Sequence, residues 1–181
     1  VLALVWARLP RPFGTQWAAQ RLARSGWLSL SRLALARPGQ HYDEVASEVI
    51  DRTAQLLPRL GQLDDEGLAL QDATRELRIC FRLLELKQAR LPTTIERQLQ
   101  PVLLAAHDYF KRCARERHPE PAPGSLHRLL DHSLQRLSLQ PGQATDEACQ
   151  ALHGLRLALF DIVAVPPRPA AAGYAPLGAS A

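Results

Sequence analysis

Residues 68–90 have the sequence LALQDATRELRICFRLLELKQAR, and this stretch decides the fold class. On a helix with about 100° between successive residues, its apolar side chains lie on two sides. One stripe contains Ala73, Leu77, Cys80, Phe81 and Leu84, and a second contains Leu68, Ile79 and Leu86. A helix that is apolar on two sides needs neighbours on two sides. The stretch therefore predicts a helix at the centre of a bundle.

The composition supports the same fold class for the whole chain. The 181 residues include 33 Leu and 27 Ala, against a total of 17 Val, Ile and Thr, so strong helix formers dominate. Apolar residues at 46% and charged residues at 22% exclude a wholly disordered chain and a coiled-coil fibre. We predict an all-α fold: an antiparallel helical bundle of about five helices, preceded by a membrane-proximal amphipathic helix.

Four further segments have helical periodicity, and together with residues 68–90 they form the predicted cytoplasmic bundle, residues 41–162. Asp43 begins the first, which ends near Pro58, and Thr93 opens a capping box at the start of the second. Ser125 and Thr145 are the predicted caps of the third and fourth. The predicted inward residues are Val45, Val49, Ile50, Leu56 and Leu57; Ile95, Leu99, Val102, Ala106, Tyr109, Phe110 and Cys113; Leu126, Leu129, Leu130, Leu134 and Leu137; and Ala148, Leu152, Leu155 and Leu159.

The positive charge of the chain is concentrated at its beginning. Residues 1–40 contain six Arg and no Asp or Glu, so they carry +6, whereas the remaining 16 cations and 18 anions give −2. All three Trp lie in the same 40 residues. The chain begins with Val1 and contains no Met, which indicates a piece of a longer protein.

Residues 1–15 begin with an apolar run that Trp6 and Arg8 close, a pattern typical of the cytoplasmic boundary of a membrane span. The run itself is shorter than the roughly 20 residues that a span needs. We therefore keep two interpretations, the end of a transmembrane helix followed by an elbow, or a short apolar helix packed on the bundle. At the other end, residues 163–181 are rich in Pro and Ala and predict a flexible tail.

Residues 16–37 predict a basic amphipathic juxtamembrane helix. Its apolar side contains Ala19, Leu22, Ala23, Trp27, Leu30, Leu33 and Ala34. A basic helix with Trp and no acids suits an anionic headgroup layer. The alternative is a core helix with a solvated Arg side. The predicted membrane-proximal residues are Trp6, Arg8, Arg11, Trp17, Arg21, Arg24, Trp27 and Arg32.

No motif for catalysis, cofactor binding or metal binding is found. The Gly residues form no phosphate-binding loop, and the six His lack the spacing of helical metal ligands. Ser125, His127 and Asp131 have the residue types of a hydrolase triad but are neighbours on one helix, where His127 and Asp131 could meet. The Cys residues are predicted to point inward and to be unreactive. We predict a protein that is not an enzyme and takes no metal or cofactor.

The remaining cations offer a second kind of surface. Arg75, Arg78 and Arg82 form a predicted stripe on one helix that could dock an acidic partner. Nucleic-acid binding is not expected, because aromatic residues are not interleaved with these cations.

Three segments carry a resemblance to a known family. The sequence DRTAQLLPRL at residues 51–60, RELRICFRLL at residues 75–84 and GLRLALF at residues 154–160 resemble the C-terminal cytoplasmic region of the fusaric acid resistance and aromatic acid exporter family. The resemblance implies a bacterial inner-membrane efflux protein for aromatic carboxylic acids or related toxic compounds, whose transport residues lie in membrane helices outside this chain.

These observations define two main functional expectations, and a third, an enzyme or ligand-binding bundle whose pocket no motif reveals, stays open. The first is the cytoplasmic domain of such an exporter, serving assembly or coupling, with anionic lipid and further copies of itself as partners and, through the missing membrane part, a periplasmic adaptor subunit. The second is a soluble helical interaction or regulatory module without a membrane role.

Overall fold

The structure, a computed structural model, describes residues 12–36, 42–60, 66–89, 91–116 and 120–160. Six α-helices and no strand occur in these ranges, which confirms the all-α prediction. They are α1 Pro12–Leu35, α2 Tyr42–Leu60, α3 Glu66–Gln88, α4 Thr93–Cys113, α5 Gly124–Ser138 and α6 Gln143–Phe160. Of the predicted membrane-boundary segment, residues 1–15, residues 1–11 lie outside the described ranges. The predicted tail at residues 163–181 also lies outside them.

The helix α3, which the sequence predicts to be apolar on two sides, packs against three other helices. It contacts α1, α2 and α6. The first helix, α1, lies along α4 and also contacts α2, and α5 lies against α4 and α6. Since α3 has neighbours on more than one side, its two apolar stripes are explained by its central place in the bundle.

The helix α4 supplies a large part of the core. Its buried residues are the predicted Ile95, Leu99, Val102, Ala106, Tyr109, Phe110 and Cys113. The ring of Trp27 from α1 stacks on Phe110 with centroids 6.0 Å apart, and its centroid lies 6.5 Å from that of Tyr109 in an edge-to-face arrangement. Such aromatic pairs add about 0.5–1.5 kcal/mol beyond the area they bury. They hold α1 against α4.

The predicted caps of α4 and α5 are wrong. Neither Thr93 nor Ser125 makes a capping hydrogen bond, because a proline occupies each N-cap position, Pro92 before α4 and Pro123 before α5. Each proline carbonyl accepts hydrogen bonds from the N–H groups of the residues three and four positions later. These bonds satisfy N–H groups that a side chain would otherwise cap.

The last helix begins earlier than predicted. Thr145 is buried inside α6 and does not cap it. The N–H of Asp146 instead donates to the carbonyl of Gly142, over 3.0 Å. The φ of Gly142 is +154°, a value that favours glycine, so the turn between α5 and α6 depends on this residue.

Several predicted inward residues lie on the surface. Ile50 and Leu57 of α2 and Phe81 of α3 are exposed, whereas Leu83, which neither predicted stripe of α3 includes, is fully buried. Helical periodicity identifies apolar sides but contains no information about which side receives a neighbour. The exposed residues lie on a side of α2 and α3 that no described helix covers.

Candidate functional site

The outer side of α1 combines exposed cations with apolar side chains. We define the outer face of α1 by five exposed residues that share one side of the helix, Trp17, Arg21, Arg24, Arg32 and Leu35. Trp17 is 60% exposed, and the guanidinium of Arg21 lies 5.2 Å from the centre of its ring. The helix contains no Asp or Glu. A surface of this chemistry is suited to contact with anionic headgroups.

The opposite side of α1 is built into the bundle. Trp27 is only 3% exposed and packs on the aromatic residues of α4, so the prediction that Trp27 contacts a membrane is corrected: its ring lies in the core. The other buried apolar residues of α1 are Ala19, Leu30, Leu33 and Ala34. The structure therefore separates the predicted residues, with Trp17 and three Arg outside and Trp27 inside. Trp6, Arg8 and Arg11 lie outside the described residues.

A buried ion pair joins the first three helices. The guanidinium of Arg52 from α2 donates to the carboxylate of Glu76 from α3 over 2.6 Å, and both side chains are buried. Arg52 also lies 3.4 Å from Ser29 of α1, which donates to Glu48. Burial raises the pKa of Glu76 although Arg52 acts to lower it. The sequence pattern singles out neither Arg52 nor Glu76, so it does not predict this pair.

Gly26 of α1 makes room for the buried carboxylate. A Cβ atom at this position would overlap the carboxylate of Glu76. A glycine inside a helical pattern is a sign that another group approaches closely, and this was the sequence signal for the pair. α1 therefore contacts the ion pair through both a small residue and the hydroxyl of Ser29.

Arg75 also lies on α3, but its side chain points away from the ion pair and toward α4 and α6. It is buried, and it donates to the hydroxyl of Tyr109 over 3.0 Å and to the carbonyl of Leu159 over 2.8 Å. Its Nε has no hydrogen-bond partner within the described part of the chain. The predicted docking stripe is corrected accordingly: Arg75 is a core residue, and only Arg78 and Arg82 are exposed.

Lys87 attaches the end of α1 to α3. Its ammonium group donates to the carbonyl of Ala36, directly after α1, over 2.8 Å. Burial lowers the pKa of Lys87. A cation at a helix C-terminus is favourable, because the last carbonyl groups lack partners within the helix. A further link forms between α1 and α4, where Nδ1 of His107 lies 2.9 Å from the carbonyl oxygen of Ser31 and 2.8 Å from its hydroxyl.

The His, Asp and Cys side chains that could suggest catalysis have structural roles instead. Nδ1 of His127 lies 3.0 Å from Asp131, and Nε of Arg156 donates to the same carboxylate over 2.7 Å, which links α5 to α6. Burial raises the pKa of Cys80 to about 12 and that of Cys113 to about 11. Thiols with such pKa values are protonated and weakly nucleophilic at neutral pH. Over the described ranges, no group of three His, Cys, Asp or Glu residues is placed to hold a metal ion.

None of the helices in the described ranges has both the length and the hydropathy that a membrane span requires.

Comparison with known proteins finds one family. The model of the fusaric acid resistance protein family matches residues 1–166. No curated protein and no solved structure matches the chain.

The contact between Gly26 and Glu76 predicts an unusual effect of alanine. Glycine to alanine inside a helix normally stabilises by roughly 0.5–1 kcal/mol. We expect Gly26→Ala to lower the free energy of unfolding by at least about 2 kcal/mol instead, because the new Cβ displaces a buried, paired carboxylate. Chemical denaturation of the 181-residue chain measures the effect.

Gly154→Ala is the matched control. A Cβ at Gly154 would meet the side chain of Arg82, but this side chain is exposed and can move away, so we expect a change within about 1 kcal/mol. In a Glu76→Ala background the cost of Gly26→Ala should shrink. Equal effects of the two glycine substitutions would contradict the contact.

The raised pKa of Glu76 predicts a pH dependence of stability. At pH values above 4.5, the ordinary pKa of this side chain, Glu76 retains its proton more readily in the folded chain than in the unfolded chain. The contribution of this group to the free energy of unfolding is therefore full at low pH and decreases as pH rises through its folded pKa. Denaturation curves of the wild type and Glu76→Gln, compared between about pH 4 and 7, should show a difference that falls with pH. A difference that rises with pH would mean that the attraction of Arg52 outweighs burial.

Proposed function

Because the chain belongs to the fusaric acid resistance protein family, we propose that it is the cytoplasmic helical domain of a bacterial inner-membrane efflux transporter. The family consists of membrane-associated transporters, and the match over residues 1–166 is the observation that carries the proposal. The transported compounds are aromatic carboxylic acids or related toxic compounds. The domain serves assembly or coupling and performs no catalysis.

The outer face of α1 supports a place beside the membrane. A cationic side chain near an anionic leaflet contributes about 1 kcal/mol, so Arg21, Arg24 and Arg32 together contribute about 3 kcal/mol. Trp17 adds an aromatic side chain of the kind that concentrates at membrane interfaces. In this arrangement α1 lies along the headgroup layer with its outer face toward the lipid, and the bundle lies on its inner side.

The buried contacts of α1 support a coupling role. Trp27 packs on α4, Ser29 and Gly26 contact the ion pair between α2 and α3, and Lys87 holds the carbonyl of Ala36. A displacement of α1 at the membrane would therefore require rearrangement of contacts with three other helices. Packed interfaces respond to such displacements as units, because they are not continuously deformable.

The burial of Trp27 also supports a second candidate function. If α1 serves only to complete the core, the chain is a soluble helical interaction or regulatory module with no membrane role. Lipid binding separates the two, because the second function requires none.

We expect the 181-residue chain to co-sediment with vesicles of phosphatidylcholine that also contain phosphatidylglycerol, and much less with phosphatidylcholine alone. The double variant Arg24→Glu/Arg32→Glu should weaken binding at least about tenfold, because two attractive charges become repulsive. Raising the salt from about 0.1 to 1 M should also weaken it, since the Debye length falls from about 10 to 3 Å.

The control is Arg97→Glu/Arg128→Glu, which has the same net charge but changes exposed residues on α4 and α5. We expect this control to alter binding less than about threefold. Binding that is equal for both double variants would refute a specific role for the outer face of α1.

Transport itself is tested with the whole protein in cells. Bacteria that express the full reading frame should retain less preloaded fusaric acid than cells without it, because the proposed exporter removes aromatic acids from the cytoplasm. Equal retention, with the protein present in the inner-membrane fraction, would reject the proposed substrate class.

A further inference from the structure

A cavity of about 160 Å³ lies between α4 and α5. Gln98, Leu99 and Pro101 of α4 form one side of it, and five residues of α5 form the other. An apolar cavity of about 150 Å³ is large enough to hold benzene. The space between α4 and α5 is therefore sufficient for an apolar group the size of one ring.

Pro101 and Ser133 explain why the two helices leave this space. Pro101 lies inside α4, where it lacks the N–H group of a regular turn and its ring pushes against the preceding turn. The buried residues of α5 are Leu126, Leu130, Ser133 and Leu137. Ser133 thus occupies a core position at which the rest of the row has Leu, and its small side chain leaves the volume that a Leu would fill.

The cavity has an apolar inner end and a basic opening. Leu99 and Leu137 are fully buried, and Ser133 is 8% exposed, so these three residues form its inner wall. His132 and Arg136 also line the cavity but are exposed, so they lie where it opens to solvent. A ligand that matches this arrangement has an apolar part inside and an anionic part near the opening.

The polar groups that line the cavity are hydrogen-bond donors. The guanidinium of Arg136 can only donate, and the imidazole of His132 has at least one N–H group. The carbonyl of Gln98 accepts from Gln140 over 3.4 Å, which leaves its NH₂ group to donate. The hydroxyl of Ser133 is buried and forms no hydrogen bond with any residue in the described ranges. Such a set of donors suits a group that only accepts, as an ionised carboxylate does.

No carboxylate of the protein occupies this position within the part of the chain that the structure describes. The residues that line the cavity include no Asp or Glu. The acidic residue of α5, Asp131, is paired with Arg156 of α6 over 2.7 Å. On α4, Glu96 lies on the opposite side of the helix, and Asp108 lies about two turns beyond the cavity. Arg136 is therefore available to an anion from solution.

We propose that this cavity binds a small monocarboxylate whose apolar part is about the size of one ring. The apolar part contacts Leu99 and Leu137. The carboxylate accepts from the hydroxyl of Ser133 and from the guanidinium of Arg136, which lies one turn further along α5. Hydrogen bonds between a guanidinium and a carboxylate are charge-assisted and stronger than bonds between neutral groups.

Other small molecules fit the cavity less well. A neutral molecule of the same size would leave the cation at the opening without a counter-ion, and acetate or inorganic phosphate would leave the apolar inner wall without a contact. Binding by the cavity requires neither a membrane nor transport, so the inference goes beyond the proposed function and its test is separate.

A titration of the ¹⁵N-labelled 181-residue chain with benzoate, at constant ionic strength and followed by amide chemical shifts, tests the proposal. We expect saturable shifts around Ser133 with a dissociation constant of about 0.1–1 mM, in the range open to so small a ligand. Benzamide, which has the same shape without the charge, and acetate, which lacks the ring, should each bind at least about tenfold more weakly.

Arg136→Gln tests the ionic contact. It should weaken the binding of benzoate at least about tenfold and change that of benzamide less than about twofold, because only benzoate has a charge. The control is Arg128→Gln, at an exposed residue of the same helix that does not line the cavity, and it should change the binding of benzoate less than about twofold.

Ser133→Leu tests the cavity itself. The new side chain continues the row of Leu residues and fills the space, so we expect it to abolish the binding of benzoate and to raise the midpoint of chemical denaturation. The higher midpoint shows that the variant is folded. Absence of saturable shifts, equal affinity for benzoate and benzamide, equal effects of the two Arg substitutions, or unchanged binding by Ser133→Leu would each overturn the inference.

Discussion

The ion pair between Arg52 and Glu76 is the contact on which the arrangement of the first three helices depends. A charged guanidinium and a carboxylate are removed from water together, which is favourable only with close geometry and additional hydrogen bonds. Ser29 supplies one such neighbour, and Gly26 provides the space that the carboxylate occupies. Because α1, α2 and α3 each contribute to this site, none of them can shift without exposing or unpairing a buried charge.

This constraint also determines what α1 presents to its surroundings. With Gly26, Ser29 and Trp27 directed into the bundle, the remaining side of the helix carries Trp17 and the Arg residues outward. The same helix thus completes a core and forms a basic surface. In the proposed transporter domain, these two properties connect a membrane-facing side to the interior of the bundle.

The periodicity of apolar residues along each helix was sufficient to predict much of the fold. The seam of α4 from Ile95 to Cys113 agrees residue by residue with the predicted inward set, because a helix with one apolar side can be buried in only one way. For α2 and α3 the pattern was insufficient. Ile50 and Phe81 are as apolar as their buried neighbours, and only the positions of the adjacent helices leave them exposed.

The amino-acid sequence by itself determined that the chain is helical and that α1 lacks acidic residues. It also determined that residues 1–40 of the chain carry the excess positive charge. These properties follow from residue type and from spacing along one helix. Only the tertiary structure decided that Trp27 is a core residue while Trp17 is exposed, and that Arg52 and Arg75 are buried. The reason is physical: a charge becomes buried where a partner from another helix reaches it. Glu76 lies 24 residues from Arg52, and the carbonyl of Leu159 lies 84 residues from Arg75.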